Sequence, residues 1–368
     1  MKTVCSHNAC NGCMACCNIC SKGAITVHDS IKAVNAEIDE EKCINCNLCR
    51  KVCPQLNDVP MVKPIKWFQG WTTDEKLRAK SSSGGLASAI ALQFVEDGGC
   101  CISCTFSEGT FQFSKAETKE EALGFLGSKY VKSNPYAAYR LIKEELAKQR
   151  KVLFIGLPCQ VAGIRRYIGD TKNLYTIDLI CHGSPSVKLL DLFLKENKID
   201  ISDINEISFR EKTSYKTSVN GKEISKNGNR DLYMRFFLKK LIYTDNCYSC
   251  RYSTLDRCSD LTLGDSWGSE LVSDEIKKGI SLILCQTEKG ESLLNHKCIH
   301  FEGVDLEKAV SANTNLSHPS VAPKERDGFF CVLQRKKSFK KAIQKTYPME
   351  FYKYYVKEMT GLKSKRNK

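Results

Sequence analysis

The feature that most constrains this chain is a run of four cysteines that occurs twice near the amino terminus. The two runs have the same spacing, C-x2-C-x2-C-x3-C, and corresponding members lie 33 residues apart: Cys10, Cys13, Cys16 and Cys20, then Cys43, Cys46, Cys49 and Cys53. In such a pair of runs the first three thiolates reach three iron corners of one cubane, and the fourth binds the other. We therefore predict two [4Fe–4S] clusters. One is held by Cys10, Cys13, Cys16 and Cys53, and the other by Cys43, Cys46, Cys49 and Cys20.

A structural zinc site is the alternative for paired C-x2-C motifs, but zinc sites use two pairs separated by a longer loop. Between the two runs, 24–27 and 33–38 have the composition of short strands around a turn. We expect an α+β ferredoxin-like module over residues 1–60, closed by a linker between Pro54 and Pro64.

The cellular compartment determines how the cysteines are interpreted. The chain has 368 residues and 21 cysteines, and thiols stay reduced in the cytoplasm. Its apolar runs stop well short of the roughly 20 residues that a membrane span requires, and the first residues lack an apolar signal core. We expect a cytoplasmic protein without a membrane span, in which most thiols are metal ligands or buried apolar groups.

Positive charge is concentrated at the carboxyl end. The formal net charge is +14, and residues 335–368 carry twelve Lys/Arg against two Glu. We interpret residues 336–368 as a basic C-terminal tail. It is a solvated helix end, or a docking segment for an acidic redox partner such as a ferredoxin or for an anionic surface. No recognition motif supports nucleic acid as a partner.

Residues 61–335 alternate between strand-like and helix-like segments, which predicts a larger α/β domain with some parallel pairing. Predicted helices include 86–95, 136–148 and 160–167, and predicted strands include 152–155 and 174–180. The polar stretch 199–230 has the pattern of an inserted hairpin.

Several groups in this second region are candidates for chemistry. Ser81–Gly85 precede a helix, where free amides favour a diphosphate, although a closely packed helix start has the same composition. Cys159 and Cys181 each follow a predicted strand, and Cys247-x2-Cys250 adds two thiols. These four cysteines suit a third cluster, a zinc site or unrelated buried thiols.

Two further candidates are titratable. Asp265 lies in a strand-ending turn beside Trp267, where it would face a ligand or simply form the turn. His182 would protonate a substrate or hydrogen-bond within its own turn. We carry His182 and Asp265 forward as candidate catalytic residues.

Together the motifs resemble those of the family of coenzyme F420 hydrogenase/dehydrogenase beta subunits, including members with an N-terminal two-cluster ferredoxin domain. The matching stretches are 81–85, 127–131, 156–160, 178–183, 247–250 and 259–268, and with the N-terminal cysteines they cover roughly residues 5 to 330.

The resemblance implies an FAD- and [4Fe–4S]-dependent oxidoreductase. It places FAD near Ser82, Ser83, Gly84, Gly85 and Lys129, and it implies a third [4Fe–4S] cluster on Cys159, Cys181, Cys247 and Cys250. Electrons would move between the flavin and the clusters, with F420 or another small organic molecule on one side and ferredoxin or another redox protein on the other. The alternatives are an electron-transfer subunit that serves a partner enzyme and a zinc-containing scaffold domain. The sequence leaves a homo-oligomer open.

Overall fold

A computed structural model describes residues 2–360 of the chain. Its strands form three sheets. In chain order they are β1 (Ile25–Asp29), β2 (Val34–Ile38), β3 (Lys66–Thr72), β4 (Cys100–Ser107), β5 (Thr110–Ala116), β6 (Val152–Gly156), β7 (Leu174–Leu179), β8 (Ile207–Glu211), β9 (Ser214–Val219), β10 (Lys222–Glu223), β11 (Leu261–Asp265), β12 (Ser281–Cys285) and β13 (Ile299–Glu302).

The helices are numbered in the same way. They are α1 (Ala15–Ile19), α2 (Leu48–Val52), α3 (Glu75–Lys80), α4 (Leu86–Glu96), α5 (Lys119–Leu123), α6 (Tyr136–Ala147), α7 (Pro158–Ile168), α8 (Val187–Lys195), α9 (Leu232–Leu238), α10 (Ser273–Lys278), α11 (Glu288–Ser292), α12 (Leu306–Ala312), α13 (Arg326–Lys336), α14 (Phe339–Thr346) and α15 (Pro348–Thr360). Short 3-10 turns cover Ile201–Asp203, Asp245–Ser249 and Thr314–Leu316.

The N-terminal module repeats its structure as well as its cysteines. Helices α1 and α2 begin 33 residues apart, and each follows a residue in the left-handed region, Met14 at φ 65° and Asn47 at φ 59°. Strands β1 and β2 pair antiparallel, with Ile25 opposite Ile38. Two equivalent loop–helix units therefore flank one small hairpin, as expected for a ferredoxin-like module.

The larger domain is built on a mixed sheet in the order β13-β3-β12-β11-β7-β6-β4-β5. Its centre, β4, β6, β7 and β11, is parallel, and the remaining strands are antiparallel. Every residue of β6 is buried, as is typical of a parallel strand with both faces covered. The prediction of an α/β domain with partial parallel pairing is confirmed.

Alternation along β6 divides the core between the two faces of the sheet. Val152 and Phe154 pack with α6, α7 and the N-terminal module, whereas Leu153 and Ile155 pack with α4. Because side chains alternate along a strand, the cysteine module and α4 cover opposite faces. The predicted hairpin region forms a separate antiparallel sheet, β10-β9-β8.

The basic segment at the carboxyl end departs from a simple solvated tail. Its described part forms α14 and α15, and Phe339 and Ile343 are fully buried against α8 and α13. The ammonium of Lys340 donates to the Glu196 carbonyl at 2.8 Å. Apolar residues at helical spacing therefore anchor a segment whose charge count suggested solvation. Residues 361–368 of the predicted tail lie outside the described residues. Over residues 2–360, no helix is both long and apolar enough to cross a membrane.

Candidate redox centre

The first cysteine site is a small cavity between α1 and the end of α2. The predicted ligands Cys10, Cys13, Cys16 and Cys53 all line it, and each is buried. The backbone amide of Gly12 donates to the Cys10 sulfur at 3.4 Å. Amide donors directed at ligand sulfurs stabilise the negative charge of a bound cluster. The donor set therefore fits the predicted [4Fe–4S] group.

The second cysteine site has the same construction. Cys20, Cys43, Cys46 and Cys49 line one cavity, so Cys20 and Cys53 each join the opposite run. The Asn45 amide donates to the Cys43 sulfur at 3.4 Å, at the position that corresponds to Gly12 in the repeat. This site is more open than the first, because Cys46 is exposed and the other three cysteines are only half-buried.

The cysteines predicted to form a third set come from three separate elements of the large domain. Cys159 lies in the first turn of α7 and Cys181 follows β7. Cys247 lies within the 3-10 turn Asp245–Ser249, and Cys250 directly follows that turn. Their side chains interact with one another, and the Ser184 amide donates to the Cys247 sulfur at 3.4 Å.

Burial raises the pKa of the Cys159 thiol to about 12, so this thiol ionises at neutral pH only when a metal binds it. Within residues 2–360, no three cysteine, histidine or carboxylate side chains are grouped so as to hold a single metal ion. The fifth nearby thiol, Cys258, is buried and directs its sulfur to the Pro158 carbonyl at 3.8 Å.

A lysine that the sequence did not mark connects the first and third cysteine sets. The Lys132 ammonium donates to the Asn11 carbonyl, in the loop of the first site, at 3.2 Å. Cys247, Cys159 and Cys181 of the third set, and Cys10 of the first, lie near enough to affect its pKa. Burial lowers the pKa of Lys132, but these neighbouring cysteines outweigh burial and raise it above its ordinary value. A single lysine outside any motif gives no signal in the sequence, because its neighbours are set by the fold.

Direct contacts also join the first cysteine loop to helices α6 and α7 of the large domain. The hydroxyl of fully buried Tyr139, in α6, donates to the Cys13 carbonyl at 2.5 Å. In α7, a Cβ added at Gly163 would lie 2.8 Å from the Cys13 Cβ. Helix α7 therefore lies against the first cysteine loop and carries Cys159 at its amino end.

The Ser81–Gly85 loop is held mainly by the protein itself. A Cβ at Gly84 would lie 2.5 Å from the Gly70 carbonyl oxygen, and one at Gly85 would lie 2.8 Å from Thr72 Cγ2. The Ser83 hydroxyl donates to the Ile280 carbonyl at 2.8 Å. The two glycines therefore meet a requirement of close packing, which was the alternative explanation for this composition.

Two lysines beside the same loop lack acidic partners among residues 2–360. Lys129 donates to the Phe125 and Leu126 carbonyls at 2.8 and 2.9 Å, and the adjacent Ser128 amide donates to the Ser82 hydroxyl. Lys212 donates to the Arg78 and Ser83 carbonyls. Burial lowers the pKa of each lysine to about 8, and nearby arginines contribute to the lowering at Lys212. Excess positive charge beside this serine-rich loop suits an anion such as a diphosphate.

The two candidate catalytic residues differ in their surroundings. Asp265, at the end of β11, forms a two-point ion pair with Arg210 of β8 at 2.7 and 2.8 Å, and the Arg210 guanidinium also lies over Trp267. His182 is exposed, and its carbonyl accepts a hydrogen bond from the Ser320 hydroxyl at 2.6 Å. The ion pair with Asp265 therefore holds the β10-β9-β8 sheet beside the Ser81–Gly85 loop. The His182 ring remains accessible.

Comparison with known proteins matches both regions. Residues 9–57 match the 4Fe-4S dicluster domain, and residues 149–307 match the family described as the C-terminal region of the coenzyme F420 hydrogenase/dehydrogenase beta subunit. Residues 149–307 of the large domain are therefore similar to this family. The predicted resemblance and the dicluster module are thereby confirmed, and the chain is an iron–sulfur electron-transfer protein related to these beta subunits.

Curated relatives are distant and longer. One subunit of the F(420)H(2) dehydrogenase of Methanosarcina mazei is 27% identical over 227 residues, which are 56% of this chain and 63% of the relative. The coenzyme F420-dependent sulfite reductase of Methanocaldococcus jannaschii is 22% identical over 330 residues, 84% of this chain and 49% of the relative. The chain thus spans about half to two thirds of the length of these relatives, both of which are oxidoreductases by name.

A solved structure also aligns with this chain. It belongs to the F420-reducing [NiFe] hydrogenase complex from Methanosarcina barkeri, with 18% identity and a TM-score of 0.48. The alignment covers 72% of the present chain and 97% of the hydrogenase chain.

Proposed function

We propose that the large domain binds FAD and a third [4Fe–4S] cluster, and that the chain passes electrons between an organic two-electron donor or acceptor and a one-electron protein partner. F420 is the candidate organic molecule because the related proteins are named for it. Ferredoxin is the candidate protein partner. A flavin supplies the exchange between two-electron and one-electron chemistry.

The observation that carries the proposal is the continuity of the cysteine sites. The Lys132 ammonium donates to the Asn11 carbonyl in the first cysteine loop and lies near the cysteines of the third set. Helix α7 places Cys159 close to the Cys13 loop. Four thiolates around a cubane leave excess negative charge, which a neighbouring ammonium stabilises. Lys132 would hold these two clusters side by side without itself transferring electrons.

The flavin assignment rests on Lys129 and Lys212. Both are partly buried, neither is paired with a carboxylate within residues 2–360, and both adjoin Ser82 or Ser83. Their ammonium groups and the serine hydroxyls would bind the diphosphate, while Gly84 and Gly85 keep the loop against the sheet. His182, exposed beyond Cys181, would donate or accept a proton at the organic substrate.

The test is a quantitative analysis of iron, sulfide and acid-released flavin in the anaerobically purified chain. We expect about twelve irons and one FAD per chain, since each of three cubanes contributes four irons. About eight irons without flavin, also after reconstitution with iron, sulfide and FAD, would contradict the proposal for the large domain.

A pair of lysine variants tests the flavin contact separately. Lys212→Met should weaken FAD binding about tenfold or more, because it removes a charge-assisted contact to phosphate, and the iron content should stay unchanged. Lys222→Met removes an exposed lysine from the same small sheet and should leave FAD binding unchanged. Equal affinities of the two variants would place the flavin elsewhere.

The second candidate function is an electron-transfer subunit without its own substrate. It is favoured by the length of the relatives, since the chain spans 63% and 49% of the two named above. Anaerobic assays of the isolated chain with reduced F420 and a one-electron acceptor distinguish the two. Turnover supports the first function, and rapid cluster reduction by ferredoxin without F420 turnover supports the second.

A further inference from the structure

A fifth thiol lines the first cysteine cavity. Cys5 is buried and lies among the four predicted ligands, and its side chain interacts with those of Cys10 and Cys53. Two backbone hydrogen bonds hold this segment against β2. The Val4 amide donates to the Ala36 carbonyl at 2.9 Å, and the Ile38 amide donates to the Lys2 carbonyl at 2.8 Å. The position of Cys5 is therefore fixed by the module and does not depend on a free end.

The internal repeat shows what occupies the same place at the second site. The residue 33 positions after Cys5 is Ile38, and Ile38 lines the cavity of Cys20, Cys43, Cys46 and Cys49. One site thus has a thiol where the other has an alkyl group. The four ligands are otherwise equivalent in spacing, and both sites have the amide-to-sulfur bond described above.

We propose that Cys5 is not a ligand but a hydrogen-bond donor to the sulfur of Cys10 or of Cys53, and that it raises the reduction potential of the first cluster. Hydrogen bonds to ligand sulfurs and exposure to solvent are two of the properties that set such potentials. A donor stabilises the more negative, reduced cluster. The first site is the more buried of the two, and burial alone disfavours added negative charge, so the thiol would offset part of that effect.

The step tested would be a one-electron reduction in which a reduced redox mediator supplies the electron, the cluster would accept it, and Cys5 would keep its proton. No bond to Cys5 forms or breaks. The inference depends on the dicluster domain alone and goes beyond the proposed flavin function, so a chain without flavin would leave it intact.

The experiment compares four variants of the full chain with the wild type, all prepared anaerobically: Cys5→Ala, Cys5→Ser, Ile38→Cys and Cys331→Ala. Iron and sulfide are counted first, and the clusters are then titrated by EPR at controlled potential. Cys331 is an exposed thiol of α13, and its variant controls for the loss of a cysteine as such.

We expect Cys5→Ala to keep all its iron and to shift one cluster to a lower potential. A neutral hydrogen bond corresponds to about a threefold to tenfold lower ratio of reduced to oxidised cluster at fixed potential, and tenfold is about 59 mV for one electron. Cys5→Ser, which retains a donor, should recover part of the shift. Ile38→Cys should raise the potential of a different cluster, and Cys331→Ala should change none.

Two outcomes would overturn the proposal. Loss of about four irons from Cys5→Ala, with retention in Cys331→Ala, would make Cys5 a ligand. Full iron with unchanged potentials in both Cys5→Ala and Ile38→Cys would show that the thiol does not act on the cluster. If Cys5→Ala fails to fold, Ile38→Cys still decides, because it adds the donor at the equivalent position.

Discussion

The two cysteine sites of the N-terminal module and the cysteine set of the large domain are built in opposite ways. The module draws eight predicted ligands from two runs within residues 10–53, and each run is a loop followed by a short helix. The large domain draws four cysteines from α7, the end of β7 and a 3-10 turn. A local site is encoded by spacing, whereas a dispersed site exists only once the sheet has formed.

The predicted crossed ligation of the module has the largest testable effect. The double variant Cys10→Ala/Cys53→Ala removes two ligands from one cluster and should cost about four irons. Cys10→Ala/Cys20→Ala removes one ligand from each cluster and should cost about eight. Iron and sulfide counts on anaerobic protein measure the difference. Equal losses from the two double variants would contradict the crossed assignment.

The cysteine set of the large domain can be tested with a matched pair of variants. Cys181→Ala should remove about four irons and leave the dicluster EPR signals in place, because only the third set loses a ligand. Cys258→Ala removes a buried thiol from the same neighbourhood and should keep all the iron. If Cys258→Ala lost iron and Cys181→Ala kept it, then Cys258 would be the fourth ligand in place of Cys181.

The sequence predicted the module well because all its information is local. The spacing of the two runs specified which cysteines share a cavity, including the exchange of Cys20 and Cys53. It did not predict Lys132 or Lys212, since the neighbours that define their roles are distant in the chain. It also gave an incomplete account of the basic segment, where buried residues such as Phe339 lie between lysines.

Variants of the Ser81–Gly85 loop, with a smaller expected effect, test whether its glycines serve close packing or phosphate binding. Gly84→Ala should lower the free energy of unfolding by about 1–3 kcal/mol, because the added methyl would meet backbone atoms of β3 and β12. A Cβ added at Gly303 would have open space around it, so Gly303→Ala should change the free energy of unfolding by less than about 0.5 kcal/mol. Denaturant unfolding of flavin-free protein measures both. A stable Gly84→Ala variant that only loses flavin would favour a phosphate cradle.

The junction between the two regions carries the smallest effect. Tyr139→Phe removes the hydrogen bond to the Cys13 carbonyl and should lower the free energy of unfolding by about 1 kcal/mol. Tyr136→Phe changes an exposed ring on the same helix and should have almost no effect. Urea unfolding of the iron-loaded protein compares them. No difference between the variants would mean that this contact does not stabilise the module on the large domain.

The contact of Gly163 with the Cys13 loop has a kinetic consequence. Because α7 lies directly against that loop, an electron that moved between the module and the proposed redox groups of the large domain would cross a distance set by packing, without a preceding diffusional encounter. Its rate should therefore be independent of protein concentration and solvent viscosity. Only the arrival of a separate partner would make the rate depend on protein concentration or viscosity. Such a partner would have access at the open second cavity, where Cys46 is exposed.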